Sequence, residues 1–383
     1  MKIQPSYAAP ISIFVLLVLL QACGGGGDGG GQNDAGNTPP PSAPGTVSGT
    51  SYENFKAVGL TPQALPSSRA GVGVVRTYGN FSGSGRLDLF AASLTYSPGS
   101  STPSSATPAI FEIWRKEANG SFTLHATIPS SGCIHPRKAI VSDFNGDTKP
   151  DVFVACHGYD APPFPGERNK IVLSQPGGGY VSQDASPDVG FFHGAASADL
   201  NGDGRPDVVV VDVRDAARAF VLLNQGNGTF ARETPNRLPS LGSGNYFTVE
   251  LLDVDGDGSV DLALGGHEWE GAPTRIWLNP GTSNFSGVLP STIPAVAGEG
   301  VVLDFTVTGS GSSRALWVLR TSGGDGTFYQ SRTVQRVSWP SLSSSVPLQQ
   351  RPGAWFQWLI PASVNGQSVV ASEDAGAGVT VPQ

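Results

Sequence analysis

The 383-residue chain reads as an all-β protein, a β-propeller of six, alternatively seven, four-stranded blades. The first observation behind that reading is a loop pattern that occurs three times. Its copies are Asp143-Phe-Asn145-Gly-Asp147-Thr-Lys-Pro-Asp151, Asp199-Leu-Asn201-Gly-Asp203-Gly-Arg-Pro-Asp207 and Asp253-Val-Asp255-Gly-Asp257-Gly-Ser-Val-Asp261. The second is the period: the ninth loop position falls at Asp151, Asp207 and Asp261, 56 and then 54 residues apart. A fixed repeat of that size marks propellers and solenoids. The third is the grammar around each loop. Phe247-Thr-Val-Glu-Leu-Leu runs in, Asp261-Leu-Ala-Leu runs out, Arg275-Ile-Trp-Leu-Asn279 follows, and a fourth strand is expected around Phe285. Long amphipathic helical periodicity is absent.

From the N-terminus, Lys2 precedes a short apolar run, Ile11 to Leu20, closed by Leu20-Gln-Ala-Cys23. Such a run is too short to span a bilayer and reads as an export signal. Its ending resembles a bacterial lipoprotein box, with Gln21 where a small residue is usual. The resemblance implies that Cys23 is lipidated and so anchors the chain to a membrane; an ordinary cleaved signal is the alternative. Gly24 after the cysteine implies, by the same resemblance, the outer membrane. Residues 24–49 are rich in Gly, Pro, Ser and Asn and read as a flexible tether, because they hold too little apolar surface to offset the entropy of ordering. Residues 50–383 form the propeller. Thr50 to Leu60, with Tyr52, Phe55 and Val58, is expected to close the last blade and so remove its exposed edge.

In blade one, Asn80-Phe-Ser82-Gly-Ser84-Gly-Arg-Leu-Asp88 keeps oxygen at the four side-chain positions with one carboxylate, which predicts weak calcium binding or none. Residues 97–108 are a low-complexity insertion. Blades two to four carry the full loops. In blade three, Val221-Leu-Leu-Asn224 leads through Gln-Gly-Asn-Gly into a fourth strand at Phe230, with Asn and Gly supplying the turn. Blade five keeps a hairpin from Thr306 to Arg314, the arginine standing where the last ligand would be and able to take an ion's place. A sixth copy runs through Ala354-Trp-Phe-Gln-Trp-Leu-Ile360, Asn365-Gly and Ser368-Val-Val-Ala371, short of outer strands. A seventh blade would have to lie within residues 290–345.

Each full loop places side-chain oxygens at positions 1, 3, 5 and 9, and Ca²⁺ takes six to eight oxygen ligands. The expected ions are structural. The loop, its following strand and the Leu-Leu-Asn-x-Gly-x-Gly-x-Phe ending resemble the FG-GAP/VCBS repeat of integrin-α-like propellers, specifically over about 135–290. The resemblance implies calcium on one rim, roles in adhesion or ligand recognition, and no shared catalytic chemistry.

The net charge of −8 comes from 31 acidic and 23 basic residues, much of the acid lying in the loops, and no basic footprint for nucleic acid is present. With Cys23 assigned to the lipid box, Cys133 and Cys156 remain. A pair in an exported chain points to a disulfide, with two buried free thiols as the alternative.

Four of the five histidines, His135, His157, His193 and His267, fall before a first strand or after a second one, at the hairpin end away from the loops. First strands line a propeller's channel, so these rings should gather at one mouth, with Tyr159, Asn245 and Glu268 nearby. Such a mouth is a default ligand site; capping of strand ends by polar residues is the alternative. Pro162-Pro-Phe-Pro-Gly-Glu167 would form one wall. No HExxH or Gly-x-Ser-x-Gly pattern is present. The expected function is a lipid-anchored, calcium-stabilised binding or adhesion module for a protein or glycan. The rivals are a polysaccharide-directed or metal-dependent hydrolase or lyase using the mouth, and a structural subunit of an envelope assembly.

Overall fold

A computed structural model of the protein describes residues 74–94, 102–128, 132–353, 358–364, 367–371 and 380–383. The signal with Cys23, the tether, the closing segment Thr50 to Leu60 and residues 354–357 of the sixth repeat lie outside the described residues. The chain divides into two compact units, 1–39 and 40–383, and every described element belongs to the second. Among the described residues no helix is long and apolar enough to cross a membrane.

The protein is all-β and built as propeller blades. Sheet one holds β1 (Val74–Gly79), β2 (Asp88–Ser93), β3 (Phe111–Lys116) and β4 (Phe122–Ile128). Sheet two holds β5 (Pro136–Ser142), β6 (Asp151–Cys156), β7 (Lys170–Ser174) and β8 (Tyr180–Asp184). Sheet three holds β9 (Phe192–Ala198), β10 (Asp207–Asp212), β11 (Ala219–Asn224) and β12 (Phe230–Arg232). Sheet four holds β13 (Tyr246–Leu252), β14 (Asp261–Gly266), β15 (Arg275–Trp277) and β16 (Ser291–Thr292). Sheet five holds β17 (Val301–Thr308), β18 (Ala315–Thr321), β19 (Arg332–Ser338) and β20 (Ser344–Gln350). A sixth sheet has three described strands, β21 (Ile360–Val364), β22 (Gln367–Ala371) and β23 (Thr380–Pro382). Each strand pairs antiparallel with its sequence neighbour inside its sheet.

Second strands such as β10, Asp-Val-Val-Val-Val-Asp, are buried along their whole length. They sit mid-blade with another blade on each face, which favours β-branched residues on both sides. The apolar clusters accordingly lie between blades: Phe144, Phe153 and Phe230 pack together, their ring centroids 5.5–6.5 Å apart. Inner strands β1, β5, β9, β13, β17 and β21 pack each on the next. The Trp358 indole N–H donates to the Arg76 carbonyl at 3.1 Å, tying the sixth sheet to the first. On the axis, Lys138 of β5 forms an ion pair with Glu250 of β13. Its ammonium is also 3.9 Å from Asp304 of β17 and 5.0 Å over the Trp358 ring. Charges buried this deeply persist only when paired.

Two expectations change. The fourth strand of sheet four is Ser291–Thr292 rather than a strand around Phe285. Phe285 is instead a buried core residue whose N–H donates to the Arg237 carbonyl at 2.9 Å, because its ring fills the cluster between sheets three and four. Residues 290–345 hold β16 through the start of β20, which leaves no room there for an additional blade.

Candidate functional site

The two ends of each inner hairpin differ in chemistry. At the loop end, the ninth-position aspartate is a buried clamp. Asp151 accepts the N–H groups of Phe144 at 2.8 Å, Asn145 at 3.1 Å and Ser174 at 2.7 Å, and the Ser174 hydroxyl at 2.9 Å. Asp207 accepts from Leu200 and Asn224, and Asp261 from Val254 and Asn279. Asp88 does the same with Ser82 and Lys116, although its loop has no second carboxylate. In each sheet the carboxylate joins the loop to the end of the third strand. Burial outweighs these donors and pushes Asp151 and Asp207 up to about 6 and Asp261 up to about 7.

Position 1 orders the turn. Asp143 accepts N–H bonds from Gly146, Asp147 and Thr148, Asp199 from Gly202, Asp203 and Gly204, and Asp253 from Gly256 and Gly258. Asn145, Asn201 and Asp255 each accept from the residue two further on, as do Asp147, Asp203 and Asp257. Carboxylate oxygens of Asp253, Asp255 and Asp261 lie within 4.8 Å of one another, an all-oxygen donor set that fits a hard cation. Arg314 does not lie over its own loop. It reaches into the preceding sheet's loop, 3.1 Å from the Asp253 carboxylate, and its Nε donates to the Val254 carbonyl at 2.8 Å.

At the opposite end, four consecutive inner strands share one irregularity. The pairing of β5, β9, β13 and β17 with their second strands skips one residue, which is Arg137, His193, Phe247 and Leu303 respectively. A bulge of this kind re-aims the extra side chain. Three of the four enter the mouth. The rings form an unbroken arc: His135 to His157 at 5.1 Å between centroids, His157 to His193 at 4.5 Å, and His193 to Phe247 at 4.4 Å. It continues from Phe247 to His267 at 4.0 Å, His267 to Trp269 at 4.3 Å and Trp269 to Phe328 at 5.7 Å. Phe191 packs on His157, and Phe164 of the Pro162–Glu167 insertion packs on Phe191. The insertion is held by the Arg214 guanidinium, which donates to the Phe164 carbonyl at 3.0 Å, and by Gly158, where a Cβ would stand 2.6 Å from the Gly166 carbonyl carbon.

The imidazoles are neutral at neutral pH. Burial lowers all four, helped by the Arg137 guanidinium at His135 and His157; His157 falls to about 4. At His267 the Glu270 carboxylate, 2.9 Å from Nδ1, offsets part of the burial effect. Asn245 donates to the same Glu270 carboxylate at 2.9 Å, and the Tyr329 hydroxyl stands 3.4 Å from His267 Nε2. Trp269 is 38 % exposed, Phe164 42 % and Phe328 44 %, so the arc ends in accessible aromatic faces. Trp269 lies stacked on His267, and a Cβ at Gly323 or Gly300 would stand 2.6 or 2.9 Å from its ring. Only glycine leaves the indole room to lie flat there.

The structure thus gathers His135, His157, His193, His267 and Asn245 at one mouth. Tyr159 is buried. Glu268 is elsewhere: it is 3.0 Å from the Arg320 guanidinium and accepts the Thr274 hydroxyl at 2.6 Å. Arg137, Phe247, Tyr329 and Phe328 belong to the mouth and went unread in the sequence. Cys133 and Cys156 form a disulfide with a Cα–Cα distance of 5.6 Å, directly beneath His135 and His157.

Antiparallel four-stranded blades with one loop-bearing rim and one aromatic rim define the β-propeller class. More particularly, the chain carries FG-GAP-like repeats, matched at residues 143–210 and 199–264. No curated protein matches the chain. Among solved structures it is similar to a candidate 6-phosphogluconolactonase from Bacteroides uniformis, at 12 % identity and TM-score 0.49, covering 85 % of this chain and 86 % of that one. A second candidate 6-phosphogluconolactonase, from Bacteroides fragilis, is similar at 10 % identity and TM-score 0.43, covering 77 % and 79 %. Sqt1 of Saccharomyces cerevisiae is similar at 10 % identity and TM-score 0.42, covering 82 % and 94 %. Likeness at this distance says nothing about chemistry.

Proposed function

We propose that the protein is an exported recognition module, tethered to the envelope through a lipid on Cys23, that binds a glycan at the aromatic mouth. Calcium in the three full loops stabilises it. The observation that carries the reading is the arc from His135 to Phe328, with its exposed rings at Trp269 and Phe328 and with exposed Phe164 joined to it through Phe191. Aromatic faces offer apolar area to the C–H face of a sugar, while neutral imidazoles, Asn245 and the Glu270 carboxylate supply hydrogen-bond partners for hydroxyls. The Leu20-Gln-Ala-Cys23 ending and the tether of residues 24–49 support the anchor. The oxygen donors of Asp253, Asp255 and Asp261 support the ion.

A glycan array probed with the soluble domain tests the site. Trp269→Ala should weaken binding of any glycan found by about tenfold, equivalent to about 1.4 kcal/mol, and leave the calcium-dependent melt unchanged. A ligand indifferent to Trp269→Ala and to the joint replacement of His157 and His267 would place recognition elsewhere.

A further inference from the structure

We infer that His135, His157 and Asp160 form a binding site for one divalent transition metal of the zinc class at the mouth. This goes beyond the recognition role proposed above and does not depend on it. One ligand atom from each of the three residues lies within 4.8 Å of the other two, and His157 Nε2 is 3.9 Å from Asp160 Oδ1. Bonds of about 2.0–2.1 Å to a tetrahedral zinc set neighbouring ligand atoms about 3.3 Å apart, so an ion must draw these together by up to about 1.5 Å. Asp160 lies exposed at a bend three residues beyond His157.

The imidazole of His157 is already oriented. Its Nδ1 stands 3.3 Å from the Gly158 carbonyl; donation of a proton there leaves the Nε2 lone pair toward Asp160. A metal-binding histidine is held in this way by its other ring nitrogen. The backbone below is stapled: Cys133–Cys156 closes the two strands, and the His157 N–H donates to the His135 carbonyl at 2.9 Å. Both oxygens of Glu167 are 2.9 Å from the Ile134 N–H. Rings of Phe191 and His193, each 4.5 Å from His157, wall the pair in. Two imidazoles and one carboxylate suit zinc, nickel or copper, whereas the all-oxygen loops suit calcium. Three protein ligands leave a coordination position open to the mouth. One neighbour opposes the ion: Arg137 Nη1 is 3.4 Å from His135 Nε2, so the guanidinium must turn aside on binding.

The experiment uses the full-length, disulfide-intact protein with its loops saturated by excess Ca²⁺, titrated with Zn²⁺ by calorimetry and with Co²⁺ by absorption. One Zn²⁺ per chain and a tetrahedral Co²⁺ visible band without sulfur charge transfer are expected. Asp160→Asn, an exposed change that leaves the fold alone, and His157→Ala should each weaken Zn²⁺ by at least about tenfold. Arg137→Ala should tighten it. The assignment is overturned by absence of Zn²⁺ binding in excess Ca²⁺, or by binding that Asp160→Asn and His157→Ala leave unchanged. The titration is repeated after reduction of Cys133–Cys156: Zn²⁺ bound only by the reduced protein, with a sulfur-to-cobalt band, overturns it as well, placing the ion on the two cysteines and Glu167, whose ligand atoms lie within 4.8 Å of one another.

Discussion

The two ends of the same inner hairpins obey opposite rules. At the loop end four sheets repeat one solution, a buried ninth-position aspartate bonded to its own loop and to the third strand, whether at Asp88, Asp151, Asp207 or Asp261. At the mouth three successive blades differ: Arg137, His193 and Phe247 stand at equivalent bulges and meet different partners. Repetition marks what holds these four blades' hairpins together. Variation at fixed geometry marks what the assembled ring presents to a ligand.

The comparison breaks most visibly at the clamp. Asp88→Ala and Asp261→Ala each strand two main-chain N–H groups, at about 1–3 kcal/mol apiece, so each variant should lose about 2–6 kcal/mol in urea unfolding. The Asp88→Ala loss should be the same with Ca²⁺ and with chelator, whereas Asp261→Ala should cost more in Ca²⁺. A loss under about 1 kcal/mol for Asp88→Ala would remove the clamp from the account.

A smaller effect is a pH response of opposite sign at the two rims. The unfolded chain protonates histidine near pH 6.5, but folded His157 does so only near 4, so stability from the mouth is lost as pH falls through that window. In the cation-free loops Asp151, Asp207 and Asp261 take up protons near pH 6 to 7, above an unfolded value of about 3.9, so acidification favours the fold there. Calcium bound in the loops, as proposed, would keep these carboxylates ionised and so remove that gain. Melting temperature should therefore fall more steeply between about pH 6.5 and 4.5 in Ca²⁺ than in chelator, and His157→Leu should flatten both curves. A steeper fall in chelator would contradict the assignment.

The smallest expected effect separates ion from scaffold within one loop. Asp203 pairs with Arg205 at the surface. Removing it in chelator should shift stability by less than about 1 kcal/mol, whereas in Ca²⁺ Asp203→Ala should reduce the calcium-induced rise in Tm. An undiminished rise would move the responsible ion to another loop.

Much of this was legible because it is local. Loop spacing alone fixes where Asp143, Asp199 and Asp253 turn the chain, and hairpin register alone brings Cys133 to Cys156 and sets the histidines at one end. Cross-blade contacts carry no such mark. Nothing near Glu268 announces that Arg320 of β18 will claim it, or that Arg314 will serve the loop of the sheet before its own. Phe285 keeps the spacing of an outer strand, yet core filling between blades takes its ring. One signal was available and was read for the histidines alone, not for Arg137 and Phe247. Arg137, His193 and Phe247 each stand six residues before the first aspartate of their loops, as His157 and His267 each stand six after the last. Alignment on the loops alone places all five at the mouth.

The skipped residue in β5, β9, β13 and β17 also bears on how such a protein can change. Because the ladder passes over it, its identity is not recorded in strand pairing, and a cation, an imidazole, a phenyl and an isobutyl group already occupy the same socket in one chain. Single substitutions at these sockets can rewrite what the ring recognises while the frame that holds them stays as it was. Diversification then proceeds one blade at a time, without passing through unfolded intermediates.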